Sequence, residues 1–130
     1  MIVVLGDRYE LLPICSAALV MNIPIAHISG GDVTIGAIDN EVRNAITMMA
    51  SLHFPGVEES AQNIIRMCNS SGNVWTVGEP GLDNFRRGTL MTRLELAENI
   101  GIPIKNKWIL VTLHPETNES LEYNLQMAKN

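Results

Sequence analysis

The chain alternates short apolar runs with segments in which apolar residues recur at helical spacing. The apolar runs predict strands at 2–5, 25–28, 53–54, 74–77 and 108–113. The helical spacing predicts helices over about 8–21, 39–51, 58–68, 90–100 and 121–128. Strands that alternate with helices in this way indicate βαβ units. The sequence therefore predicts an α/β fold, a Rossmann-like parallel sheet with flanking helices.

The first strand and first helix carry little polar surface. We therefore expect the strand 2–5 to be buried and the helix 8–21 to be covered on most sides. The strand–helix alternation breaks at 78–81 (GEPG), a turn-forming sequence. This predicts an N-terminal Rossmann-like domain over 1–80 that lacks its first strands. An interdomain linker over 81–90 and the start of a truncated second domain over 91–130 would follow.

Composition narrows the class of protein. Hydrophobic residues make up 46% and charged residues 18% of 130 residues, which fits a globular domain. Acidic residues outnumber basic ones, 14 to 9, which argues against a general nucleic-acid binder. Cys15 and Cys68 match no metal-site spacing, so no metal site is expected. No membrane segment or signal peptide is visible, and we expect a soluble, cytoplasmic protein with reduced thiols.

Three polar clusters follow predicted strands, at 6–8 (GDR), 29–32 (SGGD) and 114–116 (HPE). In open parallel sheets, ligands bind beyond the carboxyl ends of the strands. Asp7 is then either a general acid or base or a helix cap, and Arg8 either binds phosphate or is solvated. The pair Gly30 and Gly31 forms either an anion-binding nest or a simple turn.

Three further sites allow two interpretations each. Asp39 and Arg43 are spaced i, i+4 on a predicted helix, either as a surface pair or as a carboxylate held by its arginine at an active site. His114 either contacts a phosphate and carries protons or is structural. Asp32 is either a turn former or a carboxylate that faces a ligand. His27 and His53 are interpreted as structural.

Six motifs in this order resemble the UDP-N-acetylglucosamine 2-epimerase family, and most closely its hydrolysing branch, which forms N-acetylmannosamine for sialic acid synthesis. The motifs are 6–10 (GDRYE), 23–34 (IPIAHISGGDVT), 36–39 (GAID), 43–47 (RNAIT), 77–83 (VGEPGLD) and 111–117 (VTLHPET). The resemblance covers nearly the whole chain. It implies two Rossmann-like domains that face each other across a cleft, a GT-B-type architecture of which this chain is an internal portion.

The resemblance also implies a reaction and a set of residues. UDP leaves by anti-elimination through 2-acetamidoglucal, and water then adds to release N-acetylmannosamine. Asp7 and Asp39 would be acid/base carboxylates, and Arg43 would orient Asp39. Arg8 and His114 would contact the UDP phosphates beside Gly30 and Gly31.

This sequence departs from the family pattern at three positions. Ser29 stands where family members often carry a catalytic glutamate, and Asp32 is the second acidic position of that loop. Asn40 and Asn44 replace a common aspartate and histidine. These changes suggest a sub-branch that acts on a modified sugar such as a 2,4-diacetamido-trideoxyhexose.

Three other outcomes stay open: a non-hydrolysing 2-epimerase, a non-catalytic sugar-nucleotide-binding fragment, and a fragment that does not fold stably alone. The expected partner is a UDP-sugar, with no cofactor, no nucleic acid and no membrane. For the full-length protein we expect a homo-oligomer, either a dimer or a tetramer.

Overall fold

The computed structural model describes residues 1–88 and 90–129. Thr89, in the predicted linker, and Asn130, at the end of the predicted second domain, lie outside the described residues. The strands are β1 (Ile2–Leu5), β2 (Ile25–Ile28) and β3 (Leu52–Phe54). The helices are α1 (Leu11–Val20), α2 (Asp39–Met49), α3 (Glu58–Cys68), α4 (Asp83–Arg87), α5 (Arg93–Ile100) and α6 (Leu121–Met127).

The three strands form one parallel sheet in the order β1-β2-β3. Leu5 pairs with Ile28, and Ile28 pairs with Phe54, so the strands end side by side. The segment predicted as a fourth strand runs beside β3 in parallel and is joined to it by a single bridge between His53 and Val74. Hydrogen bonds from Trp75 N to His53 O and from Val77 N to Pro55 O, both 3.0 Å, continue the pairing. The predicted α/β class is confirmed.

The core lies between α1, α2 and one face of the sheet. Its buried residues are Val4, Cys15, Ala18, Ile25, Val42 and Ile46. On the opposite face Val3 and Leu5 are 61% and 57% exposed, and on α1 only Cys15 and Ala18 are buried. The prediction that the first strand and first helix are buried is therefore wrong for this chain. β1 is the edge of the sheet, and no described element covers its second face.

Contacts divide the chain into two units, one made of Met1–Glu79 with the segment from Glu116 onward, the other of Pro80–Pro115. The domain boundary at 81–90 stays a prediction. Within the second unit, Thr92 and Glu95 form a capping box at the start of α5, and the Arg93 guanidinium lies 4.9 Å from the Trp108 ring centroid. None of the described helices is long and apolar enough to cross a membrane.

The strand predicted at 108–113 is absent from the structure of the second unit. Ile109, Leu110 and Val111 are 80–93% exposed and pair with no described strand. A β-strand is stable only when its N–H and C=O groups pair with a neighbouring strand. An apolar pattern alone is therefore not enough to form a strand.

Candidate functional site

Asp7 and Arg43 form an ion pair beyond the end of β1. Arg43 Nη2 donates to Asp7 Oδ2, and the two side chains are 7% (Arg43) and 29% (Asp7) exposed. The turn that carries Asp7 begins at Gly6, whose φ of +75° favours glycine. Asp7 does not cap α1, because that helix begins at Leu11. The ion pair therefore fixes the orientation of the Asp7 carboxylate, with Oδ1 free of a described protein partner.

The same arginine holds the loop that follows β2. Its Nη1 donates to the Asp32 backbone oxygen at 2.8 Å and to Thr34 Oγ1 at 3.0 Å. Arg43 lies on α2 and is buried, so its fork of donors is fixed in place by the helix. One guanidinium thus joins the loops after β1 and β2.

α3 holds this loop from the other side. Ser60 Oγ donates to Asp32 Oδ1, and Asn63 Nδ2 donates to the Gly31 carbonyl at 2.7 Å. Gly31 has φ +83°, and a Cβ there would overlap the Ser60 carbonyl oxygen. Only glycine fits this close approach between loop and helix.

Asp7 and Asp32 share one arrangement. Each carboxylate has one oxygen bound by a buried donor, and its second oxygen has no partner among the residues that the structure describes. Asp32 lines two cavities beside the loop, of about 370 and 400 Å³. The first is rich in side-chain amides and is also lined by Asn40, Asn44, Asn63 and Arg66. Such cavities can accept a polar ligand close to a carboxylate that is able to exchange a proton.

His27 connects β2 to the turn at Gly6 and to α2. Its Nε2 lies 2.8 Å from the Gly6 carbonyl and its Nδ1 lies 3.1 Å from Thr47 Oγ1. Burial lowers the pKa of His27, with a further lowering by Arg43, so the ring is neutral near pH 7. A carbonyl only accepts, so Nε2 carries the proton and Nδ1 accepts from Thr47. This supports the structural role predicted for His27, and Gly30 packs against the same ring.

A third carboxylate stands at the same edge of the sheet. Ser29 directly follows β2 in the left-handed conformation, with φ +58°. Its Oγ donates to Glu79 Oε2 at 2.9 Å. Glu79 comes from the end of the extended segment beside β3, and Gly56 makes room for it, since a Cβ at Gly56 would overlap Glu79 Oε1.

The structure brings some of the predicted site residues together. Asp7, Gly30, Gly31, Asp32 and Arg43 form one connected cluster. The predicted pairing of Asp39 with Arg43 is wrong, because Arg43 turns toward Asp7 and the loop. Asp39 is the first residue of α2 and is half-buried.

The two predicted phosphate contacts, Arg8 and His114, are not among the residues of this cluster. The Arg8 side chain is exposed and pairs with Glu10 at 2.9 Å. His114 belongs to the second unit, where it is exposed. Their roles, and that of Asp39, stay predictions.

The sequence interpretation missed Thr34, Ser60, Asn63 and Glu79. Ser60 and Asn63 are spaced i, i+3, which places them on one side of α3, but polar residues on a helix usually face solvent. Glu79 lies in a turn-forming sequence that is interpreted as a break in the pattern and as part of one family motif, without a role for the Glu79 side chain. Within the described ranges, no cluster of three or more His, Cys, Asp or Glu side chains is placed to hold a metal ion.

The structure is an open parallel sheet with helices, an α/β fold. Beyond the carboxyl ends of its strands lie a buried arginine and two carboxylates that each have one oxygen without a described partner. In α/β proteins of this open-sheet class, ligands bind at that edge. All of residues 1–130 match the family model described as UDP-N-acetylglucosamine 2-epimerase. The chain belongs to this family.

Two curated relatives illustrate the family membership. The chain is 32% identical over 117 residues to the GDP/UDP-N,N'-diacetylbacillosamine 2-epimerase (hydrolyzing) of Campylobacter jejuni, which covers 90% of this chain. It is 35% identical over 126 residues to the polysialic acid biosynthesis protein P7 of Escherichia coli, covering 97%. The chain spans only 30% and 32% of the lengths of these relatives.

A solved structure shares the fold. The UDP-GlcNAc 2-epimerase of Neisseria meningitidis, bound to UDP-GlcNAc, superposes with a TM-score of 0.61 at 23% identity. The match covers 74% of this chain and 26% of that structure. It agrees with the predicted Rossmann-like, GT-B-type fold.

Proposed function

We propose that the protein of which this chain is part is a hydrolysing 2-epimerase of a UDP-linked 2-acetamido sugar. The observation that carries the proposal is the joint anchoring of Asp7 and Asp32 by Arg43 and Ser60 at the carboxyl edge of the sheet. Family membership supplies the class of reaction.

The reaction needs groups that move protons and groups that hold the leaving diphosphate. Elimination of UDP removes the proton from C2 and breaks the C1–O bond, giving the 2-acetamidoglucal, and water then adds to this intermediate. Asp7 suits the acid/base role because Arg43 fixes its orientation while Oδ1 stays free. Asp39 and Asp32 are the further acid/base candidates. Arg8 and His114 are the candidates for the diphosphate, together with the Gly30–Gly31 turn.

The sugar is a separate part of the proposal. The sequence interpretation favours UDP-N-acetylglucosamine and a sialic acid route. The Campylobacter jejuni relative acts, by its name, on N,N'-diacetylbacillosamine linked to GDP or UDP. This supports the alternative of a 2,4-diacetamido-trideoxyhexose, as do the departures at Ser29, Asn40 and Asn44. We also expect the full-length protein to form a homo-oligomer.

The first experiment incubates the full-length protein containing this sequence with each of the two UDP-sugars and follows the products by ¹H and ³¹P NMR. Free 2-epimerised sugar together with UDP is the expected result. A product still attached to UDP would show the non-hydrolysing reaction instead. UDP binding without turnover of either sugar would point to a non-catalytic sugar-nucleotide-binding protein.

The role of Asp7 is tested by Asp7→Asn. We expect turnover to fall by at least about a thousandfold, because an amide cannot exchange the proton, while UDP affinity changes little. Asp83→Asn is the matched control, since Asp83 is 51% exposed in a surface pair with Arg87. Turnover near the wild-type rate in Asp7→Asn would refute the assignment.

A further inference from the structure

The side chain of Glu79 places a carboxylate beside Ser29, at the end of β2, where Ser29 itself supplies none. It lies at the end of the extended segment that runs beside β3, yet its Oε2 accepts a hydrogen bond from Ser29, the residue that follows β2. The contact spans 50 positions in the chain. It depends on the tertiary fold and is absent from any local motif.

The surroundings of Glu79 are shaped to hold it there. Ser29 takes a left-handed conformation that is uncommon for residues other than glycine, and Gly56 leaves the space that Glu79 Oε1 occupies. Neither feature is needed to continue a strand. Together they place the carboxylate over the ends of β2 and β3.

This position adjoins the candidate acid/base group. Gly6 N donates to the Ile28 carbonyl at 2.9 Å, so the turn that carries Asp7 begins next to Ser29. Neighbouring strands are about 4.8 Å apart. Ser29, the anchor of the Glu79 carboxylate, is therefore about one strand spacing from the turn of Asp7, which is the scale of a sugar ring rather than of a whole nucleotide.

We propose that Glu79 is a sugar-recognition residue, whose carboxylate accepts a hydrogen bond from a hydroxyl or amide N–H of the substrate's sugar and is positioned for this by Ser29. This rests on the proposed function. A carboxylate offers about four acceptor sites, so the Ser29 contact leaves capacity for a ligand. A hydrogen bond to a charged acceptor discriminates more strongly than a neutral one.

The test measures KM for the UDP-sugar and the inhibition constant of UDP in Glu79→Gln. A glutamine still accepts from Ser29, so packing is kept while the charge is lost. We expect KM to rise about ten- to a hundredfold, with the UDP inhibition constant and the unfolding midpoint unchanged. Ser29→Ala should raise KM in the same direction by a smaller factor, because Glu79 stays charged but loses its anchor.

Glu58→Gln is the matched control. Glu58 also accepts from a hydroxyl, that of Thr76 at 3.1 Å, but at an exposed position at the start of α3. It should leave both constants unchanged. If the kinetic constants of Glu79→Gln stay within twofold of wild type, the proposal is overturned and Glu79 is a packing contact. An equal rise in the KM for the UDP-sugar and in the inhibition constant of UDP would overturn it as well. A wild-type protein that turns over no UDP-sugar would instead refute the proposed function and, with it, this role.

Discussion

Replacing Arg43 by alanine tests the central contact of the site. The side chain is buried and donates to the Asp7 carboxylate, the Asp32 carbonyl and the Thr34 hydroxyl. The substitution removes all three hydrogen bonds at once. It also leaves the Asp7 carboxylate, 29% exposed, without its cationic partner.

The expected cost follows from these contacts. Removing one partner of a buried ion pair costs about 3–5 kcal/mol, and the partial hydration of Asp7 favours the lower end of that range. With a urea dependence of about 2 kcal/mol per molar, a loss of about 3 kcal/mol moves the unfolding midpoint down by about 1.5 M. Arg43→Lys keeps the charge but loses the planar fork, so about half of this loss is expected.

Urea unfolding followed by circular dichroism measures these differences. Arg87→Ala is the control, because Arg87 pairs with Asp83 at 3.4 Å on the surface, where both side chains are exposed. Such surface pairs contribute little to the free energy of unfolding, so the urea midpoint of Arg87→Ala should match that of the wild type. If Arg43→Ala unfolds at the same urea concentration as Arg87→Ala, Arg43 does not hold the two loops together.

Three further predictions concern the groups around this contact. Gly31→Ala should destabilise the protein more than Gly78→Ala, because both glycines have φ +83° but only at Gly31 would a Cβ meet another atom, the Ser60 carbonyl oxygen; equal urea midpoints would show that the loop yields. Ser60→Ala frees Asp32 Oδ1, and we expect turnover to drop several-fold at unchanged UDP affinity, whereas wild-type kinetics would remove Ser60 from the site. Because burial lowers the pKa of His27, the unfolded chain gains a proton below about pH 6.5 that the folded chain does not take up, so the free energy of unfolding should fall as the pH drops below that value. Urea midpoints in His27→Gln should depend less on pH over this interval, and an equally steep dependence would contradict the assignment.

The sequence predicted the elements whose stability is local or whose partners lie in the same unit. α3 has the bounds that were expected, because two sequence signals indicate the same helix: acidic residues in its first turn and an apolar stripe through Ala61 and Ile64. The segment 108–113 has an equally apolar pattern and forms no strand. Strand formation depends on a pairing partner, which the pattern of one segment cannot report.

The site was predictable in its location but only partly in its contacts. The rule that ligands bind beyond the carboxyl ends of parallel strands placed Asp7 and Asp32 at the same edge. It could not show that Arg43 contacts Asp7 rather than Asp39, since the choice depends on where the loop after β1 runs. Contacts such as Ser29 with Glu79 join residues far apart in the chain, and spacing carries no signal for them.

The loop that follows β2 is bound by α2 through Arg43 and by α3 through Ser60 and Asn63. All of these contacts join protein groups to each other, so they do not depend on a bound ligand. The conformational entropy of the loop is therefore lost during folding, and little remains to be lost when a ligand arrives. NMR order parameters of the backbone in this loop should accordingly be high in the free protein and change little upon binding, so that affinity reflects the ligand's own contacts.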